Sequence, residues 1–223
     1  KMQKYLRMDF DSVRDQYSND LAGSMELASI STYRKDIFGV YVFGQNGGRY
    51  KSNYYSFKSE DQRETTWYKA IAGSRETTWF PSHEGSFIVR SSISDNFITV
   101  GQPVMDKASG MVNGIVAADI KEDVITQKIK HSLSNGVICI IDQEGSILFR
   151  SNAGNDLHYP IDISPSLVSH ILESTGTAVG KSMVVPDSGY LVVSRTLMNS
   201  NWRIAGIIDR GFLTQSSKDI THI

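Results

Sequence analysis

The sequence predicts an α+β fold in which a long N-terminal helix precedes two tandem modules, each an antiparallel sheet flanked by helices. Apolar residues recur at helical spacing near the N-terminus. A strand, a glycine turn and a second strand occur at residues 39–53 and again at 136–152. Each copy continues into a more polar, partly helical stretch and closes in an apolar hairpin. This order of elements is typical of antiparallel sheets covered by helices.

The N-terminal helix is predicted over residues 1–35. Its apolar stripe comprises Met2, Leu6, Phe10, Val13, Tyr17 and Leu21, and it can be extended through Met25, Ala28 and Ile30. Charged side chains lie between these positions, as in an amphipathic helix. At 1.5 Å per residue the helix would span roughly 50 Å. Either the stripe packs on its own domain, or the helix forms a stalk or a dimer seam.

The first module is predicted over residues 36–126, and its closing hairpin runs over residues 97–120. A helical-looking stretch at 121–133 joins it to the second module. The second module is predicted over residues 127–210, with Trp202 in the core of its closing hairpin.

Residues 211–223 form a C-terminal segment. The chain opens directly in a helical pattern and stops without an evident cap. We therefore expect it to be a segment of a longer protein.

Composition excludes several classes of protein. The 223 residues include 23 basic and 24 acidic side chains, for a net charge of -1. Because no cationic field is available to hold a phosphate backbone, we expect no nucleic-acid partner. The single cysteine, Cys139, lies in an apolar run, so neither an intrachain disulfide nor a thiolate zinc site is expected. No stretch reaches the roughly 18 apolar residues of a membrane span.

No catalytic residue, metal site or cofactor is predicted, and the fragment is expected not to be an enzyme. Residues 176–182 resemble a phosphate-binding loop but are one residue short between the glycines, and a strand pattern follows. His83 and Glu84 do not continue into a His-Glu-x-x-His motif. No Gly-x-Ser-x-Gly turn occurs.

Three segments of the first module, residues 61–70, 98–104 and 114–120, carry a resemblance to a known family. They contain a Trp-Tyr-x-x-Ala helix start at Trp67 and a Gly-x-x-x-x-Asp-Ile strand at Gly114. With the long N-terminal helix, they resemble the double Cache (dCache) family. These are extracytoplasmic sensor domains of bacterial transmembrane receptors, built from two PAS-like modules. In style the sequence is most similar to the sensor regions of Gram-positive sensor histidine kinases.

The resemblance implies a function and a location. Residues 36–126 would be the membrane-distal, ligand-binding module, and residues 127–210 a membrane-proximal module that couples binding to output. Residues 211–223 would lead to a membrane helix. The chain would then lie on the extracellular or periplasmic side of the cell membrane, in a receptor that is a homodimer. Two alternatives stay open: a module that docks an extracellular solute-binding protein, and a chemoreceptor sensor domain.

Asp119 is the first candidate ligand-binding residue. It is a carboxylate within an otherwise apolar strand, and burying it unpaired would cost several kcal/mol. It needs a partner from the protein or from a ligand, unless it faces water or caps the following helix. In the dCache pattern the Asp at this position commonly contacts a ligand amino or amide group.

Trp67, Tyr68 and Trp79 are the aromatic candidates. Aromatic residues at this spacing form either core or pocket; the resemblance places all three at the ligand. In amino-acid-binding members an Arg lies two residues before the Trp, but here that position is Thr65. Arg63 could replace it or could be a solvated residue at the start of the helix. Arg63, Thr99 and Gln102 are candidates of second rank for contact with the ligand.

The candidate residues also indicate a class of ligand. Aromatic rings with one carboxylate suit a cation or a flat polar solute bearing N–H groups. We expect a small polar metabolite: an amine, a nucleobase-like compound or another solute with N–H donors. A simple carboxylate held by Arg63 is the runner-up.

Overall fold

The computed structural model describes residues 3–91, 95–129, 136–151, 161–173, 182–184, 189–197 and 202–211. The protein is α+β with antiparallel sheets, as the sequence predicts. It divides into two compact units, Lys1–Val124 and Ile125–Ile223. No helix within the described residues combines the length and the apolar character needed to cross a membrane.

The N-terminal helix is not continuous. Two helices occupy this region, α1 at Gln3–Leu6 and α2 at Val13–Tyr33. The prediction of one uninterrupted helix was wrong because a new helix start lies at Ser12. The Ser12 hydroxyl accepts a hydrogen bond from the backbone N–H of Asp15 at 3.1 Å and donates one to its carboxylate at 2.6 Å. This pattern fixes the first turn of α2.

Helix α2 packs on the sheet through a face that is not its apolar stripe. Asn19 and Leu27 are buried, and Asn19 donates a hydrogen bond to the Tyr50 hydroxyl at 2.6 Å. Gly23 lies against the same ring, where a Cβ atom would sit 2.2 Å from a ring carbon. The predicted stripe is instead exposed at Val13, Tyr17, Leu21 and Met25. A stripe that packs on its own domain is therefore excluded for these four residues.

The first unit contains a five-stranded antiparallel sheet. Its strands are β1 (Ile37–Gly44), β2 (Arg49–Lys51), β3 (Thr78–Glu84), β4 (Asn96–Met105) and β5 (Val112–Lys121), in the order β2-β1-β5-β4-β3. A 3₁₀ turn at Gln62–Glu64 leads into helix α3 at Thr66–Gly73, and α4 follows β5 at Glu122–Ile129.

The two faces of this sheet form two separate cores, because successive side chains of a strand point in opposite directions. On one face, Val40 and Val42 pack with Leu27 of α2. On the other, Tyr41 and Phe43 join a cluster with α3. Gly101 allows α3 to lie close, since a Cβ there would be 2.2 Å from the Ile71 side chain.

The second unit has a sheet with the same arrangement of strands. Its strands are β6 (Gly136–Ile141), β7 (Ile147–Arg150), β8 (Ser182–Val184), β9 (Tyr190–Thr196) and β10 (Arg203–Asp209), in the order β7-β6-β10-β9-β8. Helix α5 at Pro165–Glu173 packs Leu167 and Ile171 into its core. Cys139 is buried there, and burial raises the pKa of its thiol to about 11. Trp202 is partly buried.

Several sequence predictions lie outside the described residues. They are the loop-like motif at 176–181, residues 199–201 in the middle of the second module's closing hairpin, and the C-terminal segment from residue 212 onward.

Candidate ligand-binding site

Asp119 is fully buried on β5, on the face of the sheet that α3 covers. Its exposed fraction is 0%. In the sheet register Asp119 pairs with Thr99 of β4 on one side and with Gly39 of β1 on the other. Directly paired residues share a face. The carboxylate is thus enclosed by the neighbouring strands β1 and β4 and by the segments that pack on this face of the sheet.

Hydroxyl groups of the protein surround the Asp119 carboxylate. The Ser86 hydroxyl donates to Oδ2 at 2.5 Å, and the Thr99 hydroxyl oxygen lies 2.6 Å from Oδ1. Burial raises the pKa of Asp119, while hydrogen bonds from Ser86, Thr99 and Tyr41 act in the opposite direction. Burial raises the pKa of Tyr41.

His83 belongs to the same network, although the sequence did not identify it as a site residue. Its Nδ1 atom lies 2.8 Å from the carbonyl oxygen of Gly85, and its Nε2 atom lies 2.9 Å from the Thr99 hydroxyl oxygen. The ring stacks on Phe87 with centroids 3.6 Å apart. Burial lowers the pKa of His83.

Trp67 and Tyr68 lie on the Asp119 side of the sheet, in the first turn of α3. Both are buried and pack edge-on against Phe43, with ring centroids 5.7 and 6.1 Å away. Thr65 is the N-cap of α3 and accepts a hydrogen bond from the backbone N–H of Tyr68. The residue at the family's Arg position therefore caps a helix, which fixes the start of the turn that carries both aromatic rings.

Two of the predicted residues lie on the other face of the sheet. Trp79 pairs with Val100, and Gln102 pairs with Val116. These positions alternate with Thr99, so their side chains point away from Asp119. Gln102 is exposed. Phe80, next to Trp79, pairs with Thr99 and packs against the aromatic cluster. The structure thus brings Phe80, rather than Trp79, to the Asp119 side.

Arg63 lies at the surface, before α3. Its guanidinium group donates two hydrogen bonds to the Asp61 carboxylate, at 2.8 and 3.1 Å. This pairing lowers the pKa of Asp61 to about 2. Arg63, Arg49 and Phe43 help to line a cleft of about 450 Å³. The cleft adjoins the aromatic cluster, because Phe43 belongs to both.

Three buried polar atoms have no hydrogen-bond partner within the described part of the chain. They are Asn53 Oδ1, Gln62 Oε1 and Trp67 Nε1. Leaving such a group unsatisfied costs about 1 to 3 kcal/mol. Asn53 is close to the carboxylate network, since its Nδ2 atom donates to the Tyr41 hydroxyl at 3.0 Å. Two acceptors and one donor are therefore left unsatisfied in the interior of the first unit.

Within the described residues, no group of three or more His, Cys, Asp or Glu side chains is placed to hold a metal ion.

Comparisons with known proteins identify the fold. No protein-family model matches this chain, and no curated protein matches it. Among solved structures, the extracellular domain of the histidine kinase soHK1S-Z6 superposes with a TM-score of 0.60 at 14% identity, covering 96% of this chain and 86% of that one.

Chemoreceptor domains superpose as well. The ligand-binding domain of Campylobacter jejuni Tlp3, in complex with L-valine, gives a TM-score of 0.57 at 15% identity and covers 95% of this chain and 82% of its own. That of the Pseudomonas aeruginosa amino acid chemoreceptor PctC, in complex with GABA, gives 0.54 at 17% identity, with 93% and 85% covered. The chain thus shares the fold of these receptor domains, in agreement with the fold implied by its resemblance to the dCache family.

Proposed function

We propose that this chain is the extracellular ligand-sensing domain of a bacterial transmembrane receptor. It binds a small polar metabolite in the membrane-distal module of residues 36–126. The observation that carries the proposal is the fully buried Asp119 on the same face of the sheet as Trp67 and Tyr68, in a fold whose solved members include domains holding valine and GABA. Burying a carboxyl group in an apolar interior costs free energy unless it is paired or hydrogen-bonded, so it needs a specific partner in the protein or in a ligand.

The chemistry of the cluster supports a ligand with N–H groups and at least one oxygen. N–H donors would satisfy Asn53 Oδ1 and the remaining acceptor capacity of Asp119, and an oxygen would accept from Trp67 Nε1. Thr65 caps α3 and Arg63 is paired with Asp61, so the usual Arg clamp for a carboxylate is absent from its family position. A carboxylate held by Arg63 is the second choice.

Ligand access requires local opening. Residues 56–58 pair with residues 88–90, with hydrogen bonds from Lys58 N to Ile88 O and from Arg90 N to Ser56 O. Phe57 of this pair packs against the aromatic cluster. We infer that these two segments separate when a ligand enters and close over it. The ligand then shifts the receptor between two conformations by its difference in affinity for them.

The whole protein is, in this proposal, a sensor histidine kinase of the Gram-positive type, with a chemoreceptor as the alternative. The membrane-proximal module of residues 127–210 and the segment of residues 211–223 pass the conformational shift to flanking membrane helices. The fold likeness to the soHK1S-Z6 extracellular domain supports a kinase, and the likeness to Tlp3 and PctC supports a chemoreceptor.

We also propose that the receptor is a homodimer that uses the exposed side of α2. Val13, Tyr17, Leu21 and Met25 are 85%, 70%, 53% and 70% exposed and follow one another at intervals of four residues. Such a row forms a ridge, and the i±4 ridges of two identical helices interdigitate at about −50°. A second copy of this chain is thus a partner of matching shape.

One observation favours a second candidate function. Hydroxyl groups of the protein already surround Asp119 and enclose it completely. If this interior never opens, the module would act by docking an extracellular solute-binding protein instead of a small molecule.

A thermal-shift screen of metabolites on the 223-residue chain tests the proposal. A ligand present at 100 times its Kd stabilises the fold by about 2.7 kcal/mol. Calorimetry on the parent, Asp119→Ala and Gln102→Ala should then show weaker binding for the first variant alone, because Gln102 lies on the opposite face. Equal affinity in a folded Asp119→Ala variant would exclude this site. No stabilising metabolite, together with binding of a solute-binding protein, would establish the docking function.

A further inference from the structure

A continuous hydrogen-bonded chain connects His83 to Asp119 through one hydroxyl group. The Gly85 carbonyl oxygen lies 2.8 Å from His83 Nδ1, and His83 Nε2 lies 2.9 Å from Thr99 Oγ1. Thr99 Oγ1 in turn lies 2.6 Å from Asp119 Oδ1. All three contacts have the length of real hydrogen bonds. Each of them therefore needs one proton between its two atoms.

These three hydrogen bonds need one proton more than an ionised Asp119, a neutral His83 and the Thr99 hydroxyl group can supply. A carbonyl oxygen only accepts, so Nδ1 of His83 carries a proton. Thr99 has a single hydroxyl proton and can point it to His83 or to Asp119, but not to both. The other contact needs a further proton, which lies either on Asp119 Oδ1 or on His83 Nε2.

The oxygen of Asp119 that faces Ser86, Oδ2, cannot carry the carboxyl proton. The Ser86 hydroxyl oxygen accepts hydrogen bonds from the backbone N–H groups of Ile88 and Val89, at 3.1 and 3.2 Å. Both lone pairs are then used, so its own proton points to Asp119 Oδ2. A proton on the carboxyl group must therefore lie on Oδ1, facing Thr99.

We propose that this proton lies on Asp119, which donates a hydrogen bond to Thr99, and that Thr99 donates one to a neutral His83, so that neither Asp119 nor His83 is charged. The alternative is a carboxylate with an imidazolium. It would place two charges next to the apolar rings of Phe97 and Phe87, with Asp119 completely enclosed. Burying two charges costs more than burying two neutral hydrogen-bonded groups. His83 is thus a positioning residue that keeps Asp119 protonated through Thr99.

The surrounding charges agree with this assignment. Burial raises the pKa of Asp119 and lowers the pKa of His83, and both directions favour the neutral pair. The other titratable groups acting on the pair are Tyr41 of β1, whose hydroxyl bonds to the carboxyl group, and Lys58, whose charge lowers the pKa of both. Since the two residues share one proton, they titrate as a unit.

This proton makes stability depend on pH in a defined way. Between about pH 3.8 and 6.5 the unfolded chain also holds one proton for this pair, on its histidine. The pair therefore gives the free energy of unfolding no pH dependence in this range. Above about pH 6.5 the unfolded chain loses that proton while the folded chain retains it. The pair then raises the unfolding equilibrium constant by up to tenfold per pH unit.

Asp119→Asn provides the matched variant. Its amide N–H replaces the carboxyl proton as donor to Thr99 and cannot titrate, so the variant should fold. The ratio of the parent's unfolding equilibrium constant to that of this variant should rise by up to tenfold for each pH unit above about 3.8. The rise ends at the pH at which the folded parent releases the shared proton. Asp123→Asn removes an exposed carboxylate from the same part of the chain and serves as the control. A parent-to-variant ratio that is flat above pH 4 would overturn the proposal.

Nitrogen NMR of the imidazole rings in the unsubstituted chain completes the test and needs no variant. At pH 7 we expect His83 to carry a proton on Nδ1 alone, with Nε2 accepting, and the half-buried His170, which lies in the second unit, provides a comparison signal. An imidazolium, or a proton on Nε2 alone, would contradict the proposal. Both measurements use the ligand-free chain, so their outcome is independent of the proposed receptor function.

Discussion

Tyr41 reaches Asp119 because Gly39, the residue paired with Asp119 in the sheet, has no side chain. A Cβ atom on Gly39 would lie 2.4 Å from the Tyr41 hydroxyl oxygen. The hydroxyl thus occupies the space that any other residue at position 39 would fill. The carboxyl group of Asp119 gains a hydrogen bond in an interior from which water is excluded.

We expect Gly39→Ala to displace Tyr41 from Asp119 and to lower the free energy of unfolding by about 1 to 3 kcal/mol. Gly73→Ala is the control, because nothing lies within 4 Å of a Cβ at that helical position. Alanine should be neutral or stabilising there. Urea denaturation of both variants gives the comparison. Equal stability of Gly39→Ala and the parent would show that the Tyr41 side chain can adopt another position without loss of stability.

Ser86→Ala should be among the most destabilising small substitutions in the first unit. The change removes a donor to Asp119 and the acceptor for the backbone N–H groups of Ile88 and Val89. Because these groups are buried, we expect a loss of about 3 kcal/mol.

Ser24→Ala is the comparison for this variant. Ser24 accepts one hydrogen bond, from the backbone N–H of Lys51, in a half-buried position. Its loss should cost about 1 kcal/mol. Chemical denaturation of the two variants side by side would contradict the argument if their losses were equal.

The sequence could identify Asp119 because a single strand carries the signal: a carboxylate within an apolar run. It could not identify His83, which joins Asp119 only through the pairing of β3, β4 and β5. A register shift between Phe80 and His83 also changes the face on which His83 lies. That irregularity leaves no mark in the spacing of apolar residues, so strand periodicity alone assigns the wrong face.

The N-terminal helix illustrates a different limit. Periodicity shows that an apolar stripe exists, but it does not show what covers the stripe. In α2 the packed face is defined by Asn19 and Gly23, which fit the ring of Tyr50. Neither residue is apolar enough to mark a buried face by itself. Complementarity to a residue further along the chain therefore decides which side of the helix packs.

Thr65→Ala tests the capping role of the residue at the family's Arg position. Loss of the side-chain acceptor for the Tyr68 N–H should destabilise the fold by about 1 kcal/mol. Thr65→Ser keeps the hydroxyl and should retain most of the stability. Thermal unfolding of the two variants distinguishes them, and similar losses would indicate that the Thr65 methyl group, rather than its hydroxyl, matters.

Phe80→Ala and Trp79→Ala test which face of β3 belongs to the site. Phe80 packs edge-on against Phe87, with ring centroids 5.8 Å apart, and Phe87 stacks on His83. Truncating Phe80 should therefore weaken binding of the ligand found by the screen by roughly tenfold or more, or about 1.4 kcal/mol. Truncating Trp79 should reduce stability with little change in affinity. If calorimetry showed the larger loss of affinity for Trp79→Ala, Trp79 rather than Phe80 would belong to the site.

Leu21→Glu tests the proposed dimer surface of α2. Leu21 is 53% exposed within the row of four apolar side chains, so a glutamate there should leave the fold intact. In a symmetric pair, the two introduced charges would face apolar side chains of the partner and be desolvated. We expect the dissociation constant measured by sedimentation to rise at least tenfold. Ala22→Glu, also exposed but about 100° around the helix, should leave it unchanged. If both variants associate like the parent, α2 is not the surface that joins two copies.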